Sequence, residues 1–236
     1  TIDAELTARI EQLRRARMPM RRIAAVVGRS AATISRLLAG MGLSSLKALQ
    51  PQAPVVRYER DAPGELLHMD TKKLGRIVHP SHRVTGDRRD ASRGAGWEFA
   101  HVAIDDHSRC GFVQMHNDER KESAVQALKA AVAHYRALGV TVKRLLTDNG
   151  SAYRSRLFAK TCQALGIKHT FTQPYRPQTN GKPEAFVKLV QNSWAYRRPY
   201  LSGEERVTAL ERYLLYYDYR PHGRLDGLTP MQRLAL

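Results

Sequence analysis

Two prolines set three residues apart, in Gln50-Pro51-Gln52-Ala53-Pro54, divide this chain of 236 residues. Proline lacks a backbone donor and pushes the residue before it out of the helical region, so the segment reads as an extended linker. Whatever precedes it must bury its apolar residues in a small unit of its own. Whatever follows must build a separate core. The chain accordingly reads as residues 1–48, a helical domain; 49–64, a linker; 65–200, a core mixing strands and helices; and 201–236, a helical tail packing on that core. No internal repeat is visible.

Residues 1–48 carry the pattern of a helix-turn-helix. Leu6, Ile10 and Leu13 fall on one helical face. Met20 to Val27 gives a second helix with Ile23, Ala24 and Val27 turned inward. Gly28 suits a tight turn, and Ser30 caps a third helix through its side-chain oxygen. That helix buries Ile34, Leu37 and Leu38, and Gly40 closes it. Ala24, Gly28, Ile34 and Leu37 are spaced for two helices that cross steeply. In a DNA-reading role the third helix enters the major groove, exposing Ala31, Ala32, Ser35 and Arg36. Arg29 stands beside them, where an apolar residue is usual. A plain three-helix bundle fits the same pattern.

Lys and Arg number 39 against 22 Asp and Glu, a net charge of +17. Such a surplus attracts polyanions, nucleic acid before an anionic membrane surface. No apolar run approaches the ~18 residues that cross a bilayer, and no signal peptide is visible, so the cytoplasm is the simplest compartment. The chain begins at Thr1 rather than Met, which reads as a fragment or a processed chain. Cys110 and Cys162 form no Cys-x-x-Cys pair, which excludes a disulfide framework and a zinc finger of ordinary spacing. His79 and His82 read as an incidental loop pair.

Beyond the linker the periodicity alternates. Leu66 to Leu74 reads as a strand, answered by a returning strand over Trp97 to Asp105. The stretch between, Gly75 to Gly96, holds Arg76, Arg83, Arg88, Arg89 and Arg93 and is expected as a mobile basic loop. Cys110 to Met115 is a third strand. Lys121 to Leu138 is a helix with Val125, Leu128, Val132 and Tyr135 on one stripe. A strand over Val140 to Thr147, a helix over Tyr153 to Leu165 with Cys162 inward, and a strand over Ile167 to Thr172 follow. Lys182 to Tyr196 reads as a helix burying Phe186, Leu189, Val190, Ser193 and Trp194. Three successive strands and then helix–strand alternation predict a mixed sheet covered by helices. In the tail, Tyr216, Tyr217, Tyr219, Arg220 and His222 either pack on the core or touch DNA, and periodicity favours packing.

Three acids stand out against the basic background. Asp70 sits inside the first strand, Asp148 ends a strand in Thr147-Asp148-Asn149-Gly150, and Glu184 opens a helix. Hard divalent cations take carboxylate oxygens, and two aspartates on neighbouring strands can converge because strands lie ~4.8 Å apart. A glutamate on a helix beside the sheet can reach the same point. A metal pair so held can activate an attacking oxygen and stabilise a leaving one. Simpler readings exist: Asp148-Asn149-Gly150 is an ordinary turn, and a glutamate in a first helical turn suits the helix dipole. Asp70 is harder to dismiss, because a carboxylate within a strand costs energy unless paired or metal-bound. No nucleophile motif of the Gly-x-Ser-x-Gly kind is present.

These acids resemble the triad of the DDE transposases and retroviral-type integrases, with thirty-five residues between Asp148 and Glu184. Thr147-Asp148-Asn149-Gly150-Ser151-Ala152-Tyr153, Tyr175-Arg176-Pro177-Gln178-Thr179-Asn180-Gly181-Lys182, and Arg220-Pro221-His222 before Thr229-Pro230 resemble bacterial insertion-sequence transposases in particular. The resemblance implies an α/β fold: an RNase H-like core with a mixed five-stranded sheet flanked by helices, preceded by a small all-α helix-turn-helix domain. It makes residues 65–200 an integrase-like catalytic core, with Asp70, Asp148 and Glu184 as catalytic residues and metal ligands. It implies Mg²⁺ as cofactor, Mn²⁺ as substitute, and cutting and joining of double-stranded DNA at element ends and target by a homo-oligomer, with no membrane. Zinc is not expected, since the ligands of the retroviral N-terminal module are absent. Ala185 departs from the family, which commonly has Arg after the glutamate.

Lys182 and Lys188 lie near Glu184, Lys188 one helical turn on, and are candidates for phosphates beside the scissile bond. Asn149, Tyr175, Arg176 and Gln178 are candidates for the same groove. Each is also an ordinary surface or turn residue. Two rivals stay open: a helix-turn-helix regulator with an inactive RNase H-like domain, and a related nuclease that hydrolyses without joining.

Overall fold

The structure, a computed structural model, describes residues 4–49, 59–90, 94–172 and 181–236. The chain divides into two units, Thr1–Val56 and Arg57–Leu236. In the first, α1 (Ala4–Arg15), α2 (Met20–Val26) and α3 (Ala31–Gly40) close over Ile10, Ile23, Ala24, Ile34, Leu38 and Leu43. The axes of α2 and α3 turn through 115°, within the range of helix-turn-helix pairs. Gly28 takes φ +64° between them, and the Ser30 side chain accepts from the Thr33 N–H. Gly40 ends α3 as expected. It is the last helical residue, and the left-handed break comes at Gly42, φ +70°. Periodicity gave no hint of the buried Arg14, whose guanidinium donates to the carbonyls of Leu43 (2.9 Å), Ser44 (2.6 Å) and Met18 (3.2 Å).

The second unit is built on β1 (Leu67–Gly75), β2 (Trp97–Asp105), β3 (Gly111–His116), β4 (Arg144–Thr147) and β5 (Lys168–Phe171), in the order β3-β2-β1-β4-β5. The β1–β2 and β2–β3 pairs are antiparallel; β1–β4 and β4–β5 are parallel. The expected basic loop contains a short helix, α4 (His82–Thr85). Helices α5 (Lys121–Ala137), α6 (Arg156–Ala164), α7 (Gly181–Val190), α8 (Gly203–Tyr219) and α9 (Pro230–Leu234) complete the unit.

Period two divides the sheet between two cores. Leu67, Met69, Ala103 and Leu145 pack with Leu128, Val132 and Tyr135 of α5 and Phe158 and Cys162 of α6. Leu74, Ala100, Val102 and Ile104 pack with Phe186 and Val190 of α7 and Leu210, Tyr213 and Tyr217 of α8. This is the expected mixed five-stranded sheet covered by helices.

Most boundaries differ from the periodic reading by a residue, and three differ by more. Val140 and Val142 are buried, but only Arg144–Thr147 is strand. The segment before it lies against a turn, where the Lys143 N–H donates to the Gly64 carbonyl at 2.8 Å. The α6 helix starts at Arg156 because Ser155 caps it, and Tyr153 stays in the preceding turn with its ring in the core. The α7 helix ends at Val190 and widens into a π-turn over Gln191–Ala195. In the tail Tyr217 is buried, whereas Tyr216 and Tyr219 face solvent.

Asp218 of α8 accepts the Gly111 N–H at 3.1 Å, and burial pushes its carboxyl up to about 7. A carboxyl raised in the folded state opposes folding once ionised. The penalty is absent below the unfolded value of 3.8, grows as pH rises, and is complete above about 7. Asp218→Asn keeps an acceptor for Gly111, so it is expected to stabilise the unit at pH 8 by on the order of 2–4 kcal/mol. Thermal unfolding of both proteins at pH 8 and pH 4 measures this, with the gain disappearing at the lower pH.

Candidate active site

In the parallel pair, Leu67 stands opposite Leu145 and His68 opposite Leu146. Continuing that register beyond the end of β4 brings Asp148 level with Asp70. Alternation turns Asp70 to the face that α7 covers, the face of Leu74 and Val102. Glu184 projects from the exposed side of the first turn of α7. Two of the acids act on the third: burial raises the Asp70 pKa above its ordinary value, and the charges of Asp148 and Glu184 add to the rise.

Backbone donors fix one oxygen of each aspartate. Asp70 Oδ1 accepts from the Thr71 N–H at 2.7 Å, and Asp148 Oδ1 from the Gly150 N–H at 2.9 Å. A Cβ at position 150 would stand 3.0 Å from that Asp148 oxygen, so a side chain there would press on the carboxylate. The Thr71 hydroxyl pairs with Tyr153 Oη at 2.8 Å and His101 Nδ1 at 3.1 Å, bracing β1 from the opposite face.

A second cluster lies beside the triad. Asp106, in the β2–β3 turn, is fully buried. Its Oδ1 accepts from His68 Nε2 at 2.7 Å and from Lys182 Nζ at 2.6 Å, and its Oδ2 accepts the Arg60 N–H at 2.8 Å. Burial works against this charge, but the bonds from His68 and Lys182 prevail and hold the carboxyl at about 2. Burial lowers His68, which is therefore neutral at pH 7 and donates through Nε2. Lys182, expected on a phosphate path, thus points its ammonium inward and ties the first turn of α7 to the sheet.

The other expected contacts are placed as follows. Lys188 is exposed one turn beyond Glu184. Asn149 is exposed, and its amide donates to the Thr172 carbonyl at 3.0 Å. Tyr175, Arg176 and Gln178 lie outside the described residues. Arg29, Ala31, Ala32, Ser35 and Arg36 are all exposed on α3 or the turn before it, in the other unit.

Family comparison gives this geometry a context. A model of the integrase core domain matches residues 60–177, and a second, also described as integrase core domain, matches 165–230. The chain belongs to the integrase core domain family. A transposase of insertion element IS2 from Escherichia coli is 31% identical over 90 residues, 38% of this chain and 30% of that protein. A Geobacillus stearothermophilus protein assigned as the transposase of insertion sequence element IS5376 is 24% identical over 190 residues, 76% of this chain and 44% of that protein. The chain thus spans less than half the length of these relatives. Among solved structures, the HTLV-2 integrase catalytic core domain in complex with magnesium superposes with a TM-score of 0.53 at 19% identity, covering 73% of this chain and 97% of that one. A chain of the simian T-cell lymphotropic virus intasome gives 0.59 at 19% identity, covering 96% and 74%. The fold is therefore the RNase H-like one of retroviral integrase cores.

Within this integrase core the donor set suits a hard dication: three carboxylates whose mutual repulsion already weighs on Asp70. Among the described residues, no three His, Cys, Asp or Glu side chains are close enough to enclose an ion without adjustment. Sequence reasoning missed Asp105 and Asp106. Asp105 fastens the turn, its Oδ2 accepting from the Ser108 N–H and hydroxyl at 2.7 and 2.8 Å. The available signal was two adjacent acids closing a predicted strand, together with His68 two residues before Asp70 and hence on the same face.

Two outcomes follow from these charges. Asp70→Asn removes a carboxylate whose ionisation opposes folding. It should therefore raise the unfolding midpoint at pH 7 relative to the parent, with the gain vanishing below pH 3.8, where the group is neutral in both states. Lys182→Met leaves Asp106 buried without its cation and should cost about 3 kcal/mol in denaturant unfolding. Hydrogen exchange of the first-turn amides of α7 should accelerate with it.

Proposed function

We propose that this chain is the catalytic part of a DNA transposase, a polynucleotidyl transferase that cleaves at the ends of an insertion element and joins them to target DNA. The observation that carries this reading is the parallel β1–β4 register, which, carried past Thr147, brings Asp148 level with Asp70, together with the charge of Glu184 acting on Asp70. Asp70, Asp148 and Glu184 would hold Mg²⁺, with Mn²⁺ as substitute, and the bound ion would offset negative charge developing on a phosphodiester. The HTLV-2 integrase core, which has the same fold, is in complex with magnesium, and that supports the choice of ion.

In this reading water attacks a phosphodiester at the element end and frees a 3′-hydroxyl. That hydroxyl then attacks a target phosphodiester in line, bonding to its phosphorus as the target's own 3′-oxygen leaves and takes up a proton. The protein contributes position rather than a covalent nucleophile. Asp106 and Lys182 keep the first turn of α7, and so Glu184, beside the sheet. Lys188 neutralises a phosphate next to the reacting one. Asn149, tied to Thr172, shapes the rim, and Tyr175, Arg176 and Gln178 are assigned to the same groove on sequence alone. The first unit reads duplex DNA through the exposed face of α3: Arg29, Ala31, Ala32, Ser35 and Arg36. Bringing two element ends to one target requires more than one active site, so the working form is a homo-oligomer on DNA.

The test is joining of a labelled duplex carrying the element end to a target, with Mg²⁺ and the full chain. Asp70→Asn, Asp148→Asn and Glu184→Gln should each reduce joining by roughly 100- to 1,000-fold. Duplex affinity without metal should stay within about twofold, because base and phosphate contacts lie elsewhere. Parental joining by any one of the three purified variants would end the assignment.

A further inference from the structure

A cationic groove of about 530 Å³ lies at the other end of α7 from Glu184, between the π-turn with its following loop and one side of α8. Arg197 lies thirteen positions beyond Glu184 along helix and turn, a rise on the order of 20 Å. One phosphate cannot touch both places.

The floor of the groove is rigid. Trp194 is buried, and its Nε1–H donates to the Arg206 carbonyl at 2.8 Å; the Tyr200 hydroxyl donates to the Trp194 carbonyl at 2.8 Å. Arg206 is itself buried and paired with Glu98. The walls carry unbalanced charge. Glu205 is the one acid among the described residues lining the groove, and both its oxygens are engaged, Oε1 by Arg198 and Oε2 by the Leu201 N–H, each at 2.7 Å. The Arg197 and Arg212 side chains are exposed, and neither meets an acceptor among the described residues. Two guanidinium groups therefore face the groove uncompensated.

Flat rings alternate with these cations. Arg198 lies 4.8 Å from the centre of the Tyr200 ring. Along α8 and its cap, Arg212, Tyr216 and Arg220 follow at four-residue steps, with Arg220 5.6 Å from the centre of the exposed Tyr216 ring. Guanidinium forks bind phosphate in a bidentate manner, and aromatic faces take sugars and bases.

We propose that this groove is a second seat for the sugar–phosphate backbone of DNA, separate from the acidic site, with Arg197 and Arg212 binding phosphates and Tyr216 packing beside them. The proposal needs DNA binding but not the triad, so it is tested without metal. Affinity of the full chain for a duplex of about 30 base pairs is measured by fluorescence anisotropy between about 50 and 200 mM NaCl, where each phosphate contact contributes about 0.9 to the slope of log K against log salt. The Arg197→Ala/Arg212→Ala variant should lose about 1.8 from that slope and bind about tenfold more weakly. The Arg197→Lys/Arg212→Lys variant should keep the slope. An unchanged slope and affinity in the alanine pair overturns the proposal. A photoreactive phenylalanine analogue at position 216 should capture DNA; capture of a second copy of the chain instead also overturns it. If the parent fails to join DNA while the slope change is seen, the transposase reading falls and the groove stands; the opposite pair of results leaves the transposase reading and removes the groove.

Discussion

Strands β1 and β4 pair in parallel, and their register, carried past the end of β4, brings Asp70 level with Asp148 from a distant part of the chain. The rest of the site depends on that pairing. A slip of one residue in β1 would turn Asp70 to the opposite face, into the core filled by α5 and α6, and would expose Leu67 and Met69 to the α7 side. Burial of both faces is what makes the register firm. The apolar residues that flank the acids therefore enforce the position of groups that repel one another.

That repulsion is a local cost carried by the whole unit. Asp70 is held where burial and two neighbouring carboxylates oppose its charge, while Asp106, a short way along the same layer, is held charged by His68 and Lys182. The contrast separates two uses of a carboxylate in one protein. A carboxylate supplied with donors stabilises a turn and a helix start. One left among like charges carries a repulsion that a hard cation would relieve.

The order of elements was legible because each follows from a local pattern. Alternation marked β2 over its observed span, and the stripe Val125, Leu128, Val132 and Tyr135 marked α5. Boundaries failed where a tertiary partner overrode the pattern. Val140 and Val142 alternate like a strand, yet their neighbour is the turn at Gly64. The π-turn after Val190 follows no period at all; it arises where Trp194 must reach the Arg206 carbonyl. Lys182 illustrates the same limit in the site. A lysine near a catalytic acid reads as a phosphate contact until the fold shows a buried carboxylate facing it.

By itself the sequence determined the order of strands and helices, the excess of positive charge and which acids stand out from it, since composition, periodicity and spacing are properties of the chain alone. Only the tertiary structure decided which carboxylates stand among like charges and which are neutralised. It alone showed that Lys182 turns inward, and that Arg197, Arg212 and Tyr216, separated along the chain, border one groove. Those outcomes depend on distances between residues far apart in sequence, and a one-dimensional pattern carries no such distances.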